Sequence, residues 1–261
     1  MDLTKLFDVS GKVAIVTGGS RGIGEMIAEG LVTNGVRTYI TARKAEACDA
    51  TAARLSELGE CISIPADMSS AEGLAAFVEA FREREDKLHI LVNNAGAAWG
   101  APMGEFPEAG FDKVLDINVK APYMLTQALL DPLSAAATAD DPGRVIMTGS
   151  IDGIQVPMGD NFSYSASKAA IHMLARHMAK FLADRNITVN CIAPGPFESK
   201  MMAYVLEDEK MRASIEGTNP RGRIGTPEDV AGTVIWLSSR AGAYINGVTV
   251  PIDGGISMVN S

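Results

Sequence analysis

A chain of 261 residues, 47% of them hydrophobic and 21% charged, has the balance of a globular protein with a sizeable core. No apolar run approaches the roughly 18–20 residues of a membrane span, and the opening MDLTKLFDVSGK has no basic stretch followed by an apolar one, so neither a membrane span nor a cleaved secretion signal is expected. The net charge of −9, without a basic stripe, argues against nucleic acid as a partner.

Strand-like and helix-like segments alternate in chain order. KVAIVTGG (12–19) is a short apolar run closed by glycines. RGIGEMIAEGLVTNG (21–35) has helical spacing, with Ile23, Ile27 and Leu31 on one face. VRTYITAR (36–43) reads as a strand, 45–59 as an Ala-rich helix, CISIPAD (61–67) as a strand and 69–86 as a helix opened by Ser69 or Ser70. HILVNNAG (89–96) is a strand, and 110–137 is one long helix with bends expected near Pro122 and Pro132. RVIMTGS (144–150) is a strand, and a helix containing YSASK runs to about Asp184. ITVNCIAPG (187–195) is a strand. A helix over 226–239 takes Thr226 as N-cap and Pro227 as its first residue, and GVTVPIDGG (247–255) is the last strand. Seven nearly continuous apolar strands with helical crossovers predict one α/β domain, a Rossmann-like doubly wound parallel sheet. Segment 196–225 is longer than a connection requires and is expected to be a lid.

Cys48, Cys61 and Cys191 are odd in number and lack metal-ligand spacing, so they read as small hydrophobes in a reducing cytosol. His89, His172 and His177 form no ligand set, and no metal is expected. His172 and His177 are placed at a surface or an interface.

In YSASK, Tyr164 and Lys168 are four apart and share one helix face, where an ammonium can favour the charged form of a phenol. TGGSRGIG (17–24) follows the first strand and opens the first helix. Gly18, Gly22 and Gly24 allow a tight turn and close approach of backbone to a pyrophosphate, with the intervening Ser20, Arg21 and Ile23 in the same turn. Where an acidic residue would hold a ribose 2′-OH, the chain has Thr41-Ala42-Arg43-Lys44. Arg43, with Arg21 from the other side, instead suits a 2′-phosphate, so NADP(H) is the expected cofactor. Asp67, Asn94 and Ser150 lie at strand ends that converge on one crevice.

These stretches together resemble the short-chain dehydrogenase/reductase family along essentially the whole chain. The matching residues are TGGSRGIG, Ala66-Asp67, Asn93-Asn94-Ala95-Gly96, Asn118, Ser150, YSASK, Pro194-Gly195 with Ser199 after them, Arg223 to Ala231, and Asp253-Gly254-Gly255. Within the family the resemblance is strongest to NADPH-dependent 3-oxoacyl reductases of the rhamnolipid-pathway type. It implies that Tyr164 is the proton donor in reduction, that Lys168 binds the nicotinamide ribose and lowers the phenol pKa, and that Ser150 orients the carbonyl. It further implies that Asn118 holds a relay water, Asp67 accepts from the adenine amine and Asn94 lines the adenosine ribose. Pro194, Gly195 and Ser199 would run beside the nicotinamide; Met68, Ala95, Gly96 and Phe197 complete the expected cofactor contacts.

The substrate wall is expected to include Trp99, Asp152, Gln155 and Met158, with Met201 and Met202 from the lid. Methionines suit an adaptable apolar pocket and equally a plain core. Asp152 would repel a carboxylate substrate or face water. Carrier-protein reductases commonly carry basic residues before the strand bearing the serine, where this chain has Ala139-Asp140-Asp141. An acidic carrier protein is therefore a doubtful partner, and a small-molecule acyl thioester or ketone is preferred. The expected reaction is NADPH-dependent reduction of a ketone, with a 3-oxoacyl thioester as leading substrate. The alternatives are reduction or oxidation of small or cyclic substrates, or a non-catalytic NADP-binding role. A cytoplasmic homotetramer is expected, or a dimer, through the helices of 110–137 and 160–184.

Overall fold

The computed structural model describes residues 1–198 and 208–259. Its strands are β1 (Val13–Thr17), β2 (Arg37–Thr41), β3 (Cys61–Ser63), β4 (Ile90–Asn93), β5 (Gly143–Thr148), β6 (Ile187–Pro194) and β7 (Thr249–Ile252). Its helices are α1 (Leu3–Leu6), α2 (Gly22–Thr33), α3 (Ala45–Leu55), α4 (Ala71–Arg82), α5 (Glu108–Leu115), α6 (Ala121–Ala128), α7 (Leu130–Ala136), α8 (Phe162–Leu182), α9 (Glu209–Thr218), α10 (Pro227–Ser238) and α11 (Ile256–Val259). The strands form one sheet in the order β3-β2-β1-β4-β5-β6-β7, and every pairing is parallel. Strand order reverses between β1 and β4, and a crevice at such a switch point is where open α/β sheets take ligands.

Alternation along each strand feeds two cores, because successive side chains point to opposite faces. Val16, Val92, Ile146 and Ile192 pack with Ile27 and Leu31 of α2 and Val230, Val234 and Leu237 of α10. Ile15, Leu91, Val145 and Val189 face the other way, onto Phe77 and Phe81 of α4, Leu125 and Leu133, and Ile171, Ala175 and Met178 of α8. Helices on both faces explain why the strands are apolar throughout rather than alternating.

The expected elements all form, with one change of kind. The single helix over 110–137 is instead α5, a π-helical turn at Asp116–Lys120, α6 and α7. Pro122 follows directly on the π turn at the start of α6, and the backbone enters it in helical geometry, with Lys120 at φ −67° and ψ −47° and Ala121 at φ −60° and ψ −46°. The break before α7 falls at Leu129, whose backbone leaves helical geometry at φ −104° and ψ 13°, rather than at Pro132. Within 196–225 the described part contains α9, whose N-cap Asp208 accepts from the backbone N–H groups of Lys210 and Met211.

Candidate active site

The turn after β1 is built on glycines that a side chain would destroy. Gly18 has φ +66°, and a Cβ on Gly24 would lie 2.3 Å from Gly18 O and 2.4 Å from Asn94 Nδ2. The first turn of α2 can therefore seat directly on the end of β1. Thr17 ties this turn to the next strand: its Oγ1 accepts from Asn94 N and Ala95 N, both at 2.9 Å, while Asn94 Nδ2 donates to Thr17 O at 2.9 Å. The result is a shallow backbone cradle at the N-terminus of α2, the arrangement that receives phosphate groups.

Around the cradle, Arg21 and Arg43 are exposed, and no carboxylate stands at the end of β2. Asp67 is held below the usual carboxylate range, chiefly by the Ser69 hydroxyl donating at 2.6 Å, and less by Ser69 N–H and the nearby Arg43. Ser20 is half-buried and Ile23 packs against the core beneath the turn. Met68 is 5% exposed with its side chain in the core, so only its backbone is available to a ligand. Gly195 follows β6 and donates its N–H to Ile252 O at 3.0 Å. Phe197, expected in the lid, is instead a core residue: its ring fills the space over Gly225, to which its backbone is bridged.

The groups expected to be catalytic gather at the end of β5. Ser150 N-caps the short 3-10 turn Ile151–Gly153, and its Oγ accepts from Asp152 N at 3.1 Å. Its hydroxyl lies near enough to the Tyr164 phenol to pull that group's pKa down. Burial raises that phenol to about 12, with the Ser150 bond opposing and Asp152 adding to the rise. Lys168 is buried; its Nζ donates to Thr148 O at 2.7 Å and lies 5.4 Å from the centre of the Tyr164 ring. Burial brings its ammonium down to about 8. The expected lowering of the phenol pKa is thus not what the protein alone produces, because desolvation outweighs the opposing influence of Ser150. Asp152 is half-buried and raised above the usual carboxylate range by burial, although Asn161 donates to its Oδ2 at 3.1 Å.

Asn118 sits in the π turn, a distortion often found at functional sites. Its Nδ2 donates to Ala97 O and Ser167 Oγ and its Oδ1 accepts from Ala97 N, all at 2.9 Å. The side chain braces the β4 loop against α8, leaving one Oδ1 lone pair for a water. Gly96 lies beside it, within 3.0 Å of Asn118 Oδ1 for an added Cβ.

Of the expected substrate wall, Gln155 is half-buried and Met158 fully exposed. Trp99 lies across Gly110 of α5, with Lys113 Nζ 5.5 Å over its ring. Ser199, Met201 and Met202 lie outside the described residues. Among the described residues no cluster of three or more His, Cys, Asp or Glu is disposed to hold a metal ion, and no helix is long and apolar enough to cross a membrane.

The sequence places His172 at a surface or an interface; within this chain it is already buried, under Ser150. Its only sequence signal was the i+4 spacing from Lys168, which puts it on the same face of α8.

A family model described as enoyl-(acyl carrier protein) reductase matches residues 18–257. The chain belongs to the short-chain dehydrogenase/reductase family. It is 45% identical over 252 residues to the rhamnolipids biosynthesis 3-oxoacyl-[acyl-carrier-protein] reductase of Pseudomonas aeruginosa, covering 97% of this chain and 98% of that one. The solved RhlG/NADP active-site complex from the same organism superposes with a TM-score of 0.95 at 45% identity, over 97% of this chain and 99% of the other. The 5-keto-D-gluconate 5-reductase of Escherichia coli is 33% identical over 257 residues, covering 97% of this chain and 98% of that protein. This chain is an NADP-dependent oxidoreductase.

Proposed function

We propose that this enzyme reduces the ketone of a 3-oxoacyl thioester to a secondary alcohol, using NADPH. The observation that carries the proposal is the meeting of the Ser150 hydroxyl and the Tyr164 phenol at the end of β5, with the buried Lys168 behind them and the glycine cradle of β1 alongside. The cradle fits a dinucleotide because Gly18 and Gly24 leave no room for side chains, and the exposed Arg21 and Arg43 favour a 2′-phosphate. Asp67, Asn94, Ala95, Pro194 and Gly195 would hold the rest of the nucleotide, and the nicotinamide, when bound, supplies hydride to the carbonyl carbon.

The protein's part is polarisation and proton delivery. Ser150 Oγ already accepts from Asp152 N, which leaves its own proton to be donated towards the carbonyl oxygen. A phenol raised to about 12 stays protonated at neutral pH and is therefore ready to give its proton as negative charge develops on that oxygen. The Lys168 ammonium then stabilises the phenolate left behind.

Asp152 bears on substrate choice. A half-buried carboxylate two residues beyond Ser150 disfavours a ligand with its own carboxylate near the ketone, such as a keto-acid sugar, and tolerates a neutral thioester. The acidic stretch before β5 weighs less against a carrier protein than its sequence suggests, because Asp141 is paired with Lys12 at 2.7 Å and with Arg144 at 3.2 Å. Exposed apolar residues on α5, α6 and α8, among them Phe111, Tyr123, Met124, Met173 and Phe181, support self-association into a dimer or tetramer.

The test is NADPH oxidation with acetoacetyl-CoA, a longer 3-oxoacyl-CoA, a 3-oxoacyl carrier protein, 5-ketogluconate and cyclohexanone. Turnover of the thioesters at least tenfold above the other ketones is expected, and Arg43→Ala should weaken NADPH much more than NADH. Preference for 5-ketogluconate would overturn the substrate reading.

A further inference from the structure

Strand β5 reaches the site with its last polar groups passing out of the sheet. Gly149 N still donates to Ile192 O at 2.7 Å, but Thr148 O and Ser150 N, on either side of it, have no strand partner. A buried backbone group left without a partner is costly. Both are met from α8: Thr148 O accepts from Lys168 Nζ at 2.7 Å, and Ser150 N donates to His172 Nε2 at 3.4 Å. Lys168 and His172 are one turn apart on the same face of the helix. The imidazole also occupies the space beside Gly149, where an added Cβ would lie 2.1 Å from Nε2. A Cβ on Gly153, at the end of the serine's 3-10 turn, would come within 2.6 Å of the Lys168 carbonyl carbon.

We propose that His172 is a positioning residue: its Nε2 lone pair, acting with Lys168 Nζ, clamps the end of β5 to α8 and so sets the serine hydroxyl in register with the phenol carried by that same helix. The inference rests on the reading of Ser150 as the group that orients the carbonyl. The acceptor must be an unprotonated Nε2, so the ring proton resides on Nδ1. Burial, with Lys168 and Arg176 nearby, holds the imidazole down to about 4, and it therefore remains a neutral acceptor throughout the working range.

The experiment compares His172→Gln with His172→Met in the full-length enzyme, assayed with acetoacetyl-CoA and NADPH. The two side chains match in size, and only glutamine offers an acceptor. His172→Met should lose about tenfold or more in kcat, as expected for small misplacements of a catalytic group, with NADPH affinity and KM within about twofold. His172→Gln should recover to within about threefold of the parent. Equal kcat in the two variants would overturn the proposal. Independently of any variant, nitrogen chemical shifts of His172 in the parent protein should report the Nδ1–H tautomer, and an Nε2–H tautomer would overturn it. Absence of activity in the parent enzyme would count against the reductase reading, whereas the tautomer tests the clamp itself.

Discussion

Strand β5 has a buried cation at each end, and the two are treated in opposite ways. At its start, Arg144 is 1% exposed, yet its guanidinium donates to Leu237 O and Ser239 O, both at 2.9 Å, to Pro142 O, and to Asp141. Lys12 joins the cluster, donating to Asp141 and to Ser238 O. These groups gather the carbonyls at the C-terminus of α10, where cations are favoured. At the far end, Lys168 is as well hidden but among the described residues has one acceptor, Thr148 O; it lies beside the Tyr164 ring and has no ion pair, although the Asp152 carboxylate is near enough to act on its charge. A saturated cation ties the start of β5 to the end of α10; in the mechanism proposed above, a cation short of partners keeps electrostatic capacity in reserve for a charge that appears only during reaction.

The sharpest way to separate the two ends is Tyr164→Phe. Turnover should fall by about a thousandfold or more, while NADPH binding, measured by fluorescence, and the thermal midpoint stay near those of the parent. Activity close to parental would remove the phenol from the mechanism. The converse test is Arg144→Met, which strands the α10 carbonyls and Asp141. Urea unfolding should show a loss of about 3–5 kcal/mol, with kcat per folded molecule within about twofold. A stable but inactive protein would erase the distinction between the ends. The smallest effect is the pH profile. With Lys168 at about 8, the ammonium is present below that pH and lost above it, so the reduction rate should decline by up to about tenfold per unit on the alkaline side. The sign for stability is opposite. The ordinary lysine value is 10.5, so between about 8 and 10.5 the unfolded chain holds the extra proton, and the destabilisation due to this group is relieved as pH rises through that window. Unfolding of the parent and of Lys168→Met across that window should converge; parallel curves would contradict it.

Much of this was legible in the residues. The glycine turn, the seven apolar strands and the Tyr-Lys pair follow from local rules: φ > 0 favours glycine, parallel strands covered on both faces are apolar, and i, i+4 positions share a helix face. Less was legible where a side chain's partner comes from distant sequence. Asp141 reads as surface acidity in the sequence, whereas Lys12, far away in the chain, lies 2.7 Å from it. Met68 and Phe197 are expected as cofactor contacts yet turn their side chains into the core, and backbone contacts with a ligand leave no trace in residue type. The π turn around Asn118 was invisible to a 3.6-residue period, since one extra residue in a turn changes the hydrogen-bond pattern and not the composition.

What the amino-acid order determined alone was the set of elements, their succession and the chemical groups at the strand ends, all consequences of short-range sterics and periodic burial. Tertiary packing decided the protonation states and the roles of the inward-facing polar residues. Whether Lys168 titrates near 8, whether Tyr164 holds its proton, and whether His172 is a surface group or a clamp depends on how much water the surrounding fold removes, and desolvation is a property of the assembled neighbours rather than of any segment.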